Sequence, residues 1–282
     1  MHDPSAASPT KIALIQNCAG ADVAANIQRL DELVSEAAAA GASVIALPEA
    51  FAFIGPDKLK RAMLESLDPD GSATPILDTC RAWARKHECH LLLGGFHERV
   101  AGDPPAANTQ VHLLPDGTIA ARYRKIHLFD VDLVDGTRLA ESKNTQAGSQ
   151  MVLSECPFGT LGLTICYDIR FPLLYQRLAA AGANVISVPA AFTRTTGAAH
   201  WHTLLRARAI ETQCFIIAAA QHGAHNPRRS SYGHSLVIDP WGEVLAEGPE
   251  TADAVVLATI DPARIEQVRA QMPCHQHHRP FD

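Results

Sequence analysis

Three side chains that together could cleave an acyl bond stand far apart in this chain: an acid at Glu49, an amine at Lys125 and a thiol at Cys166. Cys166 ends the apolar run Leu161-Gly162-Leu163-Thr164-Ile165 and precedes Tyr167-Asp168-Ile169-Arg170-Phe171-Pro172, where a turn leads into a helix. A strand-to-helix elbow lifts a short side chain to the edge of a sheet and leaves the following backbone N–H groups free to hold an oxyanion. The plainer alternative is one more buried cysteine. Glu49 follows Leu47-Pro48 at the end of another apolar run and precedes Phe51 and Phe53. An acid so poorly solvated should have its pKa raised toward the range useful for proton transfer, unless it merely caps or pairs at the surface. Lys125 lies in Arg122-Tyr123-Arg124-Lys125-Ile126-His127-Leu128. That run is either a solvated basic cluster or the source of a cation beside the thiol, where it would favour thiolate and steady an oxyanion. A thiol served by His127, His200 or His234 is a second scheme, and an inactive fold kept for interaction is a third.

The elements that must position these groups alternate between strand and helix, as βαβ units do. Lys11 to Gln16 reads as a strand, and residues 22–40 place Ile27, Leu30, Leu33, Val34 and Ala37 on one helical stripe. Gly41 then stops the helix before a buried strand from Ser43 to Leu47. The order repeats with a strand at Leu161–Cys166, a helix at Pro172–Ala181, a stop at Gly182 and a strand at Asn184–Val188. Ala40–Phe51 reads AGASVIALPEAF and Ala181–Phe192 reads AGANVISVPAAF, identical at eight of twelve positions at an offset of 141. The repeat contains its own control, because Ala190 stands where the first copy has Glu49. The scaffold therefore does not require the acid. Each copy continues into a helix (Thr74–His87; His200–Thr212), an apolar strand (His90–Gly94; Cys214–Ala220) and a hairpin turn at Leu114–Gly117 or Asp239–Gly242. Two sheets packed together with helices outside is the simplest way to bury these faces. No linker divides the halves, so residues 1–282 read as one domain, with a core of about 11–271 and a tail at 272–282. The polar stretch from Asp130 to Gly148 is long enough to be functional or mobile.

Composition narrows the class. A formal charge of -6 gives no electrostatic support to a nucleic-acid partner. No apolar run reaches the roughly 20 residues a membrane span needs, and Met1 to Thr10 lacks the marks of a signal peptide. The seven cysteines are odd in number and scattered in apolar segments, which fits a reducing, cytoplasmic setting and not a disulfide framework.

In sequence order, Leu47-Pro48-Glu49, Tyr123-Arg124-Lys125-Ile126-His127-Leu128 and Ile165-Cys166-Tyr167-Asp168-Ile169-Arg170-Phe171-Pro172 resemble the three signatures of the nitrilase superfamily of carbon-nitrogen hydrolases. The similarity runs from about Lys11 to Pro280. The resemblance implies an α/β fold, a four-layer αββα sandwich of two pseudo-symmetric halves, usually paired as a homodimer. It implies a Glu49, Lys125, Cys166 triad, a further acid at Glu141 and an oxyanion site made by Lys125 with the Tyr167 backbone N–H. The implied chemistry is hydrolysis of a small-molecule amide through a thioester on Cys166, with neither metal nor organic cofactor.

Residues 191–201, 206–214 and 231–235 are similar to the deaminated-glutathione amidase branch, whose members release Cys-Gly from a 2-oxoglutaryl unit. A substrate anionic at both ends makes Arg170 and Arg194 plausible carboxylate clamps, with Phe192, Thr193 and His200 as further lining. Arg170 is equally able to pair with Asp168 or an inter-subunit acid. An omega-amidase acting on 2-oxoglutaramate or 2-oxosuccinamate is the nearest rival, and a nitrilase a more distant one. The tail His275-Gln276-His277-His278-Arg279-Pro280 invites a metal reading, yet a segment crossing a dimer partner is more economical.

Overall fold

The computed structural model describes residues 8–277 and Arg279, apart from Pro69 and residues 133–137. Its first six-stranded sheet has the order Ala254–Ile260, Thr10–Gln16, Val44–Ala46, His90–Arg99, Ala106–Leu113 and Ile119–Arg124. The second, also six-stranded, has the order Leu153–Cys156, Gly159–Leu163, Val185–Ser187, Phe215–Ala218, Leu236–Ile238 and Val244–Glu247. In both, a central parallel trio is flanked by antiparallel neighbours. The duplicated sequence is thus a duplicated topology.

Parallel neighbours need crossovers, and helices supply them. The first sheet is crossed by α1 (Val23–Ala39); the short α2 (Asp57–Ala62) and then α3 (Pro75–His87) follow the strand Val44–Ala46. In the second half α4 (Pro172–Ala180) and α5 (Arg194–Thr212) do the same work. Side chains alternate along the strands. Ala13, Ile15, Ile45, Leu91 and Leu93 pack with Leu30, Leu33 and Val34 of α1 and with Leu77 and Trp83 of α3. Ile12, Leu14, Val44, Ala46 and Leu92 belong instead to the core shared with the second sheet. This period of two yields four layers, helix, sheet, sheet, helix.

Both hairpins form as expected: Gly117 N–H meets Leu114 C=O at 2.8 Å and Gly242 N–H meets Asp239 C=O at 2.9 Å, each glycine at positive φ. Several boundaries differ from the sequence reading, among them the strand expected over His90–Gly94, which runs on to Arg99. The helix expected from His200 begins at Arg194, because Gly197 leaves room for the Tyr232 ring and so is used for packing rather than as a break. The strand expected to reach Cys166 ends at Leu163, and residues 166–170 form a 3₁₀ turn. The stretch after Asp130 is not a structureless loop in its described parts. It contains paired strands Asp130–Asp132 and Arg138–Ala140 and a 3₁₀ turn at Glu141–Lys143.

Candidate active site

Cys166 sits at the elbow with φ +47°, a left-handed conformation that costs a non-glycine residue energy and must be held in place. Asp168 holds it. This fully buried carboxylate accepts hydrogen bonds from Ile165 N–H (2.9 Å), the Tyr123 hydroxyl (2.7 Å), and His127 through its backbone N–H (3.1 Å) and Nδ1 (2.7 Å). Two distant segments are thereby pinned together, one carrying Lys125 and the other Cys166. Because its acceptor positions are filled this way, Asp168 does not pair with Arg170.

Glu49 follows the strand Val44–Ala46, and its carboxylate is 6% exposed as a residue. Oε1 accepts from Lys125 Nζ at 3.0 Å and Asn108 Nδ2 at 2.9 Å, while Oε2 accepts from Ala191 N–H at 2.8 Å. The Cys166 thiol lies beside this carboxylate, near enough to lower its pKa. Lys125 Nζ reaches Glu141 Oε2 at 2.8 Å, and Glu141 accepts further from Asn108 Nδ2 and Phe129 N–H. Acid, amine and second acid therefore share one hydrogen-bonded cluster, with the thiol beside it.

The electrostatics correct one expectation. Burial does push the Glu49 pKa up, but the Lys125 charge, the neighbouring Cys166 thiol and the hydrogen bonds from Lys125 and Ala191 together outweigh it and hold the group at about 2. The sequence reading weighed burial without these partners. Burial first, then the Glu49 charge, drives the Cys166 thiol well above its ordinary pKa. Burial disfavours the Lys125 ammonium, yet Glu141 and Glu49 more than reverse this and push it up. The resting cluster is thus a neutral thiol beside a carboxylate, with a fixed ammonium touching both acids.

These groups open onto a cavity of about 300 Å³ lined by Glu49, Lys125, Glu141 and Cys166, along with Phe53, Lys60, His97, Asn108, Phe129, Arg138, Thr145, Ala191 and Arg229. Of the expected substrate residues, Arg170, Arg194, Phe192, Thr193 and His200 do not line it. Arg194 is exposed and paired with Glu250 at 2.8 Å. Arg170 lies over the Tyr167 and Phe192 rings and meets His200 at 3.3 Å. Phe192 packs on Trp201, and the Thr193 hydroxyl meets that of Thr196 at 2.7 Å. The histidines proposed as thiol partners are engaged elsewhere, His127 with Asp168, His200 with Arg170 and His234 with Glu247.

Sequence reasoning missed Asn108, which bridges the two acids. Its only trace is the run Asn108-Thr109-Gln110 in a strand buried along its whole length, where polar residues need partners. Lys60, His97, Thr145 and Arg229 left no pattern at all. Among the described residues, two His/Cys/Glu groups lie outside the cavity, His90 with His112 and Cys156, and His202 with His234 and Glu247. Hydrogen bonds account for both, His90 to His112 at 2.9 Å and Glu247 to both of its histidines. Cys274, His275 and His277 of the tail belong to neither; His278 and Pro280 lie outside the described residues.

The sequence profile described as Carbon-nitrogen hydrolase matches residues 11–270. The chain is 42% identical over 272 residues to the deaminated glutathione amidase of Synechocystis, covering 95% of this chain and 98% of that one. It is 43% identical over 276 residues to the human protein of the same name, covering 95% and 82%. The solved structure of the Caenorhabditis elegans NitFhit protein superposes with a TM-score of 0.88 at 40% identity, over 97% of this chain and 66% of that one.

Proposed function

We propose that this chain, which belongs to the carbon-nitrogen hydrolase family, is a thiol amidase whose substrate is deaminated glutathione. The observation that carries the reading is the meeting of Glu49, Lys125 and Cys166 at one cavity. The substrate choice rests on the likeness to relatives of that name along nearly the whole chain.

The geometry suits one proton shuttled by one carboxylate. Glu49 takes the thiol proton as Cys166 sulfur bonds to the amide carbonyl carbon, so no free thiolate accumulates next to a resting carboxylate. The carbonyl electrons move onto oxygen, where Lys125 and the Tyr167 backbone N–H stabilise them. Glu49 returns its proton to the amide nitrogen, the C–N bond breaks and Cys-Gly leaves. Water then gives a proton to Glu49 and its hydroxyl to the thioester carbon. The C–S bond breaks, 2-oxoglutarate is released and the sulfur regains its proton. Lys125 is suited to this because Glu141 keeps it charged and fixed throughout.

Among the described residues no helix is long and apolar enough to cross a membrane. Seven free cysteines support a reducing, cytoplasmic setting, and the exposed apolar side chains Leu173, Ile210 and Trp241 support pairing of two copies. Mass spectrometry of the protein quenched during turnover of deaminated glutathione tests the mechanism. A 2-oxoglutaryl adduct on Cys166 is expected in the native enzyme and absent in Cys166→Ala and Glu49→Gln. An adduct that forms undiminished in Glu49→Gln would return the base role to a histidine.

A further inference from the structure

Four of the cavity's polar side chains have a buried atom with no partner: Arg229 Nε, His97 Nδ1, Thr145 Oγ1 and Asn108 Oδ1. Buried polar atoms left bare are costly; of these four, Arg229 Nε and the Thr145 hydroxyl are donors that an anion can satisfy, whereas Asn108 Oδ1 and, with Nε2 donating to Phe53, His97 Nδ1 are acceptors. Of the cationic side chains lining the cavity, Lys125 and Arg138 are ion-paired and Lys143 is exposed, which leaves two partly buried ones. Lys60 projects from α2, and Arg229 opens the strand Arg229–Tyr232. Among the described residues neither has a carboxylate within ion-pairing distance, unlike Lys125, Arg138 and Arg194, each of which does. Their mutual closeness shows in their neighbours. Burial lowers the Lys60 pKa first, with Arg229 and Lys125 adding to that fall against Glu141 and Asp57. His97 is driven down to about 3 by burial, then by Lys60 and Arg229. With Nε2 directed at the Phe53 carbonyl (3.1 Å), His97 stays neutral between two cations and adds no counter-charge.

Two partly desolvated cations with no carboxylate in ion-pairing distance among the described residues are an expensive arrangement for a protein to hold empty, and an inexpensive one for an anion to fill. We propose that Lys60 and Arg229 form a paired seat for a substrate carboxylate and make the enzyme selective for anionic over neutral amides. The guanidinium fork supplies directed hydrogen bonds, the unpartnered Nε among them, and the ammonium a point charge. The seat lies in the cavity that holds Cys166, so an amide anchored there by its carboxylate presents its carbonyl within the same enclosure. This deepens the amidase reading and rests on it, and it transfers the role first expected of Arg170 and Arg194 to residues that sequence order does not connect.

The test separates the seat from the reaction. Lys60→Met, Arg229→Gln and Arg229→Lys are compared with the native chain in two measurements. In the first, kcat/KM is followed for deaminated glutathione and for pentanamide, a neutral amide. Loss of either cation should lower the former roughly ten- to hundred-fold, mainly through KM, while pentanamide changes by less than about threefold. Arg229→Lys should recover part of the loss. In the second, 2-oxoglutarate protects Cys166 from iodoacetamide, read by peptide mass spectrometry. The half-protecting concentration should rise roughly ten-fold or more in Lys60→Met and Arg229→Gln, with unprotected labelling rates unchanged as evidence of an intact site. Unaltered anionic-to-neutral selectivity in these variants overturns the seat, as does a native enzyme that 2-oxoglutarate fails to protect. A native enzyme inert toward deaminated glutathione, yet protected by 2-oxoglutarate only when Lys60 and Arg229 are present, overturns the substrate assignment and leaves the seat standing.

Discussion

The two halves of the molecule share a backbone plan but divide the chemistry between them. Val44–Ala46 and Val185–Ser187 are equivalent strands, each followed by a proline and then by Glu49 in one half and Ala190 in the other. The adjoining strands are matched by their ladders, Ile12 beside Val44 and Leu161 beside Val185. Followed to their ends, they place Asn17 where the second half has Cys166. One half thus supplies the proposed base and the other the proposed nucleophile. Besides the thiol itself, the second half reaches Glu49 through the Ala191 N–H on its carboxylate and the Gln221 side chain on its backbone carbonyl. Duplication built two equivalent strand ends close to each other, and substitution then gave them unlike reactivities.

Exchanging these residues between the halves tests the comparison most severely. Glu49→Ala gives the first half the second half's residue, and Cys166→Asn does the reverse. Asparagine tolerates the positive φ of the elbow, so the latter protein should fold. Each change should lower kcat/KM by about 10⁴-fold or more with far-ultraviolet circular dichroism unchanged. Activity within ten-fold of native in either would mean that the asymmetry between the halves is not the catalytic one. Next in size is Lys125→Met. It leaves Glu49 and Glu141 facing each other through Asn108 with no cation between them, and should cost about 3–5 kcal/mol in urea denaturation.

Much of this division was legible before the coordinates. The offset of 141 aligned the strand ends, and the mismatch between Glu49 and Ala190, the one of four that involves a charge, marked a residue the fold does not need. The helices were legible too, since periodicity and the stops at Gly41 and Gly182 are local signals. The cavity wall was not. Lys60, His97, Asn108, Thr145 and Arg229 come from five separate segments, and nothing in a segment's own pattern records which others it will face. The Glu49 pKa failed for the same reason. Burial is readable from apolar neighbours in sequence, whereas the Lys125, Cys166 and Ala191 contacts that reverse its effect are all long-range.

Smaller effects sharpen the account of the cluster. Glu141→Gln keeps the shape of the contact to Lys125 but removes one of its two negative charges, and should lower kcat roughly ten- to hundred-fold with less change in KM. The pH profile separates carboxylate from imidazole. A folded pKa held near 2 means that the Glu49 contribution to stability is complete above its usual 4.5 and is lost as pH falls toward 2. With the thiol raised above 9, kcat/KM should be level from about pH 5 to pH 8. An inflection near the ordinary histidine value in that window would point to a histidine base.

The smallest expected effect concerns Arg194, a second-half cation first expected, with Arg170, to hold the substrate. Its partner Glu250 occupies, by count along the matched hairpins, the place that Lys125 holds in the first half. The comparison is therefore between two oppositely charged pairs in equivalent regions, one buried and one exposed. Lys125 and Glu49 are 2% and 8% exposed in their side chains, while Arg194 and Glu250 are 63% and 46% exposed. Water screens the outer pair, so it contributes at most about 1 kcal/mol. Nor does Arg194 line the cavity. Arg194→Gln should therefore leave kcat/KM within about twofold of native and shift the urea midpoint little. A ten-fold rise in KM for deaminated glutathione, with KM for pentanamide unchanged, would show instead that the substrate reaches beyond the cavity to the outer pair, and that both halves bind it through their charges.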